Sequence, residues 1–231
     1  MSEQSWPLPR AAVPAAFDDA AADYDWLVDT NPGYHRHLRR SVQRMRIPDG
    51  GRGLRLLDAG CGTGASTAAL LAAAPEADIV AVDASAGMLR QAAAKRWPPS
   101  VRFVHTPIEQ LAAADIEGPF DGIMAAYLMR NLDDPDGQLA RFRALMRPGG
   151  TLAVHEYSVR DSRPATAVWN AVCWTVIIPL AWWRTRDITL YRHLWRSVNG
   201  FDGVSAFRNR LAAAGFCDVR AETMSGWQRG V

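Results

Sequence analysis

Between residues 57 and 64 the chain reads LDAGCGTG, and few folds accommodate such a stretch. An apolar run ends in an acid, glycines follow at positions 60, 62 and 64, and an alanine-rich helical pattern starts directly after them. Glycine there lets the backbone turn tightly and lets a ligand approach it without interference from a Cβ atom. In open α/β sheets such loops join a strand to its helix, and ligands sit outside the carboxyl ends of the strands.

The remaining pattern fits that setting. Strand-like LRLLD (54–58) precedes a helix near 65–74, IVAVD (79–83) precedes one near 86–96, and VRFVH (101–105) follows. A strand over 120–126 leads to a helix near 136–146, a turn RPGG (147–150), and the strand TLAVHEY (151–157). A helix near 203–214 and strand-like CDVRAET complete the pattern before GWQRGV. Short continuous apolar strands alternating with helices predict a mostly parallel sheet covered on both faces. The fold class is therefore α/β, Rossmann-like and doubly wound. It carries an N-terminal helical extension and an apolar helical insertion after the fifth strand. Residues 1–53 read as an irregular arm over 1–16 and a helical lid that Pro32 and Gly33 interrupt. Residues 54–231 read as the main domain, with a cap inserted over 165–200.

The segment 165–183 contains no charged residue and is long enough on paper to cross a bilayer. Asn170 and Pro179 interrupt it and α/β patterning continues on both sides, so buried or interfacial helices are expected. Cys61, Cys173 and Cys217 have no CxxC spacing, and the opening MSEQSWPLPR lacks an apolar signal core. A cytoplasmic location is expected, with peripheral membrane contact and a homodimer both left open.

Taken alone, the glycine loop is ambiguous, because Gly60-x-Gly62-x-x-Ala65 also satisfies a loose dinucleotide pattern. Asp58 just before the glycines could accept bonds from loop amides or bind a cation, and a pyrophosphate would want that region free of negative charge. Asp83, ending the next strand, is placed to accept both hydroxyls of a ribose. LDAGCGTG, followed by VDASAGML and RPGG, resembles the class I S-adenosylmethionine-dependent methyltransferases. That resemblance implies S-adenosyl-L-methionine as cofactor, its amino-acid part at Gly60, Gly62 and Thr63 and its ribose at Asp83. Ala84 and Met88 would flank the adenine, Thr106, Pro107 and Ile108 would meet its edge, and Ala126 would be small so that the cofactor fits.

A second resemblance covers nearly the whole chain. Tyr24-Asp25, 127-YLMRN-131, Glu156-Tyr157-Ser158, and Pro179 with Tyr191, Leu194 and Ser197 resemble the C-methyltransferases of ubiquinone and menaquinone biosynthesis. The implied acceptor is a small hydrophobic aromatic compound such as a demethylated quinol. In-line methyl transfer from a sulfonium needs positioning and an electron-rich acceptor, and no metal. Arg130 would act as a fixed cation stabilising a phenolate, and Asn131 would orient a quinol oxygen or a water; a guanidinium is a poor general base. The bland alternative for this pair is a salt bridge to Asp133 or Asp134 and a loop cap. Tyr24, Tyr127, Glu156 and Tyr191 are expected at the acceptor, with His35 leaning over the methyl group from the lid or standing at the surface.

Trp169, Trp174, Trp182 and Trp183 could line a channel for an apolar tail, or belong to core or a dimer interface. Alternation along the strand allows only one of His155 and Glu156 to face the pocket, and Glu156 is the expected one. His105 is expected to pack on the cofactor, and His37 and His193 to lie at the surface. No histidine has metal-ligand spacing. The arginines of 34–46 lack the interleaved aromatics and broad basic excess of a nucleic-acid site; a solvated or membrane-facing helix face remains. O- or N-methylation of a small metabolite, a nicotinamide-dependent oxidoreductase and a non-catalytic cofactor-binding module are the alternatives.

Overall fold

The computed structural model describes residues 8–9, 12–31, 33–226 and 229–231. Most of the expected N-terminal arm, and Pro32, lie outside the described residues. Among those described, five parallel strands form one sheet in the order β3-β2-β1-β4-β5: β1 (Arg55–Ala59), β2 (Asp78–Asp83), β3 (Val101–His105), β4 (Phe120–Ala126) and β5 (Met146–His155). The chain runs outward from β1 through β2 to β3, then returns to place β4 on the other side of β1. Loops leaving β1 and β4 therefore diverge and open a crevice at their carboxyl ends, the usual ligand position in such sheets.

Alternation along the strands divides the core into two layers. Leu56, Ile79 and Met124 face helices α2 (Tyr34–Arg44), α3 (Ala65–Ala73) and α6 (Arg163–Val172). Leu57, Val80, Ile123 and Ala125 face the other way, toward Leu139 and Phe142 of α5 (Pro135–Leu145) and Phe207 and Leu211 of α9 (Val204–Ala213). Helix α4 (Ala86–Ala93) starts at Ser85, whose Oγ accepts the Met88 amide at 3.0 Å. Helix α1 (Val13–Asp29) packs on α4 and on α8 (Thr189–Gly200). The insertion consists of α6, a π-turn at Cys173–Ile177, α7 (Ile178–Thr185) and α8.

Several expectations change. Helix α1 already starts at Val13, inside the stretch read as irregular. RPGG is a bulge within β5 rather than a turn ahead of it: Met146 pairs with Phe120, Thr151 pairs with Gly122, and residues 147–150 bow out, with Gly149 at φ 83°. CDVRAET forms no strand, since β5 offers it no ladder; instead Glu156 and Val231 exchange backbone hydrogen bonds at 2.9 and 2.8 Å. Arg40 and Arg44 of the basic stretch pair with Glu222 in that terminal segment.

Leu57 is fully buried in the central strand. Leu57→Ala should lower unfolding free energy by roughly 2–5 kcal/mol, the range for a large-to-small change in a packed core. Urea denaturation followed by circular dichroism measures it; a loss under about 1 kcal/mol would contradict this layer assignment.

Candidate active site

The glycine loop is tied to the neighbouring strand before any ligand is considered. Amides of Gly60 and Cys61 both donate to the Val82 carbonyl at 2.9 Å. Asp83 then receives the Gly62 amide on one oxygen and the Ser85 amide on the other, each at 2.8 Å. Gly62 has φ 54°, and a Cβ added there would meet nothing within 4 Å, so this residue presents bare backbone to open space. A ribose fits against the Asp83 carboxylate, whose oxygens each retain acceptor capacity after one amide bond. Burial pushes the Asp83 carboxyl up, partly offset by those two amides.

Asp58 takes a different part from the one expected. It lies wholly beneath the loop and accepts the Ser66 and Thr67 hydroxyls of α3 at 2.8 and 2.6 Å, not loop amides. Burial raises its carboxyl to about 7. Thr63 is likewise spent internally. Its hydroxyl donates to Asp25 at 2.5 Å, Lys95 donates to its carbonyl at 2.7 Å, and Lys95 pairs with Asp25 at 2.6 Å. Farther along α1, Asp18 accepts the Ser85 hydroxyl at 2.6 Å and the Gly87 amide at 2.5 Å. Helix α1 is thus strapped across the mouth of the loops leaving β1 and β2. The sequence does not single out Asp18 or Lys95, which make these ties; the one signal it offers is that Lys95 is the only lysine in the chain.

Around the expected adenine position, Met88 and Ile108 are buried apolar walls, and Ala84 and Pro107 are half-buried. Thr106 turns its hydroxyl back to the Pro107 and Gln110 carbonyls, at 3.3 and 3.4 Å. His105 is exposed and donates to the Ala84 carbonyl at 3.0 Å, so it braces the loop from outside.

The far side of the crevice is built on a buried ion pair. β4 ends at Ala126, Tyr127 follows at φ 56°, and Met129–Asn131 form a 3-10 turn that directs Arg130 inward. Its guanidinium meets Glu156 at 2.5 Å, with side-chain exposures of 5% and 3%. Asp134, one of the two partners the bland reading offered it, caps α5 instead. Burial works against the charge on Arg130, but the Glu156 carboxylate more than offsets it and holds the pKa above the ordinary value. Arg130 Nε has no hydrogen-bond partner although it is buried.

Four tyrosines surround this pair. Tyr127 stacks on Tyr34 at 5.4 Å and contacts Tyr157 at 4.7 Å, and the Arg130 guanidinium lies 5.4 Å from the centre of the Tyr127 ring. Tyr24 hydrogen-bonds Tyr34 and feels Arg130 on one side and Asp83 and Asp25 on the other, which puts it between the two halves of the crevice. Burial raises all four phenols, Tyr157 to about 12, so they are neutral hydrogen-bond donors at ordinary pH. Tyr191 of α8 is also buried and its hydroxyl lacks a partner.

The remaining residues expected near the acceptor are bonded within the protein or face outward. Asn131 is consumed by structure: its amide donates to the Tyr127 carbonyl at 3.0 Å and its oxygen meets His193 Nε2 at 3.1 Å. His193 is buried rather than superficial, as is His37. His35 points out and bonds Asp29 at 2.7 Å, because the left-handed Gly33 that starts α2 turns Tyr34 inward and the next side chain away. Trp174 lies on the outer face of the cap, 44% exposed, and of the four tryptophans only Trp169 faces inward, 5.3 Å from Tyr157. Alternation does separate His155 from Glu156, yet both are buried. His155 Nδ1 pairs with the Ser41 hydroxyl at 2.9 Å and Nε2 with the Tyr127 hydroxyl at 3.1 Å.

A family model described as the ubiE/COQ5 methyltransferase family matches residues 7–228. A demethylmenaquinone methyltransferase from Renibacterium salmoninarum is 30% identical over 93% of this chain and 87% of its own. A ubiquinone/menaquinone biosynthesis C-methyltransferase UbiE from Bradyrhizobium diazoefficiens is 32% identical over 94% of this chain and 88% of its own. Among solved structures, the plantazolicin methyltransferase BpumL in complex with SAH shares the fold at TM-score 0.63 and 12% identity, over 89% of this chain and 74% of that one.

Burial holds the His155 pKa down at about 3, below its ordinary value of 6.5. A depressed folded value adds stability above the unfolded pKa and loses it as pH falls through that range, so acidification should unfold the protein partly through His155. His155→Gln should remove roughly 3 kcal/mol of the stability difference between about pH 7 and about pH 4. Thermal midpoints across that range measure it; parallel pH profiles for variant and wild type would contradict it.

Proposed function

The chain belongs to the ubiE/COQ5 methyltransferase family, and within it we propose that the acceptor is a demethylated quinol, methylated on a ring carbon. The chain is an S-adenosylmethionine-dependent methyltransferase, and the cofactor supplies an activated methyl group on its sulfonium. Gly60, Gly62 and Asp83 would hold it, the glycines by exposed backbone and the acid through the ribose. Ala84, Met88, Thr106, Pro107, Ile108 and Ala126 would shape the adenosyl side of the crevice. Helix α1, fastened through Asp18 and Asp25, would serve as the lid over it and as the wall that carries Tyr24 to the acceptor.

The observation that carries the acceptor reading is the buried, unpartnered Nε of Arg130. A phenolic acceptor becomes nucleophilic at the carbon beside its hydroxyl when that hydroxyl loses its proton. A fixed cation and neutral hydroxyl donors in an apolar pocket favour the resulting oxyanion, because they need no reorganisation as the charge develops. Glu156 keeps Arg130 in place, and Tyr127 lends its ring face to the guanidinium. Tyr24 and Tyr191 are the further donors on this side. The ring proton left after methylation would go to solvent, since the phenols are held neutral and Glu156 is committed to Arg130. The two quinone-pathway names among the relatives support the same acceptor class.

Asp83→Ala should abolish binding of S-adenosylhomocysteine in calorimetry. Removing Arg130 alone would strand a buried carboxylate, so the informative variant is Arg130→Met with Glu156→Gln. It should bind S-adenosylhomocysteine normally but lose at least about 100-fold in turnover of a demethylated quinol. Normal turnover by that double variant would overturn the role given to Arg130.

A further inference from the structure

We propose that the outer face of the α6–α7 arm docks on an anionic lipid surface. Among the described residues the exposed large hydrophobic side chains are Trp26, Val168, Trp174, Val176, Trp182 and Trp183, at 41–67% exposure. Five of them belong to the helical run Arg163–Thr185, and only 28% of the most apolar part of that run is buried. The sixth, Trp26 of α1, adjoins it through Arg184, whose guanidinium lies 5.7 Å from its ring. Exposed apolar area gathered on one arm in this way marks a contact surface and not scatter.

The same run has an inner stripe that excludes a spanning helix. Ala165, Trp169, Cys173, Ile178 and Ala181 are buried against the domain. Their spacing is four, four, five and three residues, and the five-residue step crosses the π-turn at Cys173–Ile177. That extra residue holds the inner stripe against the domain over the full length of the arm, leaving the opposite side free. A helix with one face committed to a core lies on a membrane and does not cross it.

Charge identifies the occupant. No charged residue interrupts the arm between Pro164 and Trp183, while Arg163 stands at one end and Arg184 and Arg186 at the other, all exposed. Arg186 lies 5.6 Å from the Trp182 ring, and Arg184 also pairs with Asp23 at 2.8 Å. The exposed Asp161 and Asp187 flank the two ends but interrupt neither the stripe nor its arginines. Tryptophan beside arginine at the rim of an apolar stripe is the chemistry of a headgroup boundary, where aromatic rings sit and guanidinium groups reach phosphate. In a dimer made of two such arms, parallel or antiparallel, arginine ends would meet arginine ends.

The docking proposal deepens the quinol reading and rests on it for its purpose. Trp169, on the inner side of the same helix, packs on Tyr157 of the acceptor pocket. One helix would then face lipid outward and the acceptor site inward, so an apolar acceptor dissolved in the bilayer would meet the pocket without crossing water.

The test is co-sedimentation of the full chain with vesicles containing about one-third phosphatidylglycerol in phosphatidylcholine. Wild type should pellet with these vesicles and at least about tenfold less with phosphatidylcholine alone. Trp182→Ser with Trp183→Ser should reduce binding at least about tenfold while leaving turnover of a short-chain, water-soluble quinol unchanged. Docking is overturned if wild type stays in the supernatant, if the double variant binds equally, or if sedimentation velocity shows a dimer that the double variant dissolves. Vesicle binding uses no acceptor, so a protein that pellets as expected yet methylates no quinol supports the docking and counts against the acceptor reading alone.

Discussion

A guanidinium and a carboxylate, each almost fully buried, meet at the carboxyl ends of β4 and β5. Removing either partner from such a pair leaves an uncompensated charge and is worth roughly 3–5 kcal/mol of destabilisation. The surroundings are arranged to keep both in place. The turn Met129–Asn131 aims Arg130 inward, Asn131 locks that turn to Tyr127 and α8, and the Tyr127 ring faces the cation. A buried pair is weak evidence for stability as such. Here the arrangement leaves one guanidinium nitrogen without a partner, which fits a pocket that is completed by its acceptor.

The other half of the crevice follows from topology. Because β1 and β4 are neighbours that continue in opposite directions, the glycine loop and the Arg130 turn open toward each other. Helix α1 spans the gap. Asp18 and Asp25 fasten it to the loops leaving β2 and β1, and Tyr24, one residue before Asp25, reaches the field of Arg130. One helix therefore touches both halves of the crevice, which is why the proposed lid and the proposed acceptor wall fall on the same element.

Much of this was legible in the sequence where local rules decide the outcome. Apolar strand runs, the spacing of Gly60, Gly62 and Gly64, and Asp83 at a strand end each depend on a few neighbouring residues. RPGG, CDVRAET and the surface placement expected for His37 and His193 differ from the structure because partners distant in sequence decide them. Register with Phe120 turns RPGG into a bulge, the Asn131 amide oxygen claims His193, and Ser41 and Tyr127 claim His155. The sequence places Asp58 and Thr63 at this loop but not their partners within the protein, the hydroxyls of α3 for Asp58 and the Asp25 carboxylate of α1 for Thr63. The tryptophan-rich segment was read as apolar, but composition does not say which face of a helix turns inward; the π-turn decides that.

The central claim is that the unsatisfied face of Arg130 receives the acceptor oxygen. A crystal structure of the protein with S-adenosylhomocysteine and a demethylated quinol analogue tests it most directly. The account predicts a quinol oxygen within hydrogen-bonding distance of Arg130 Nε, with the ring lying between the glycine loop and the tyrosine cluster. An analogue bound in the crevice with its oxygens directed away from Arg130 would contradict it.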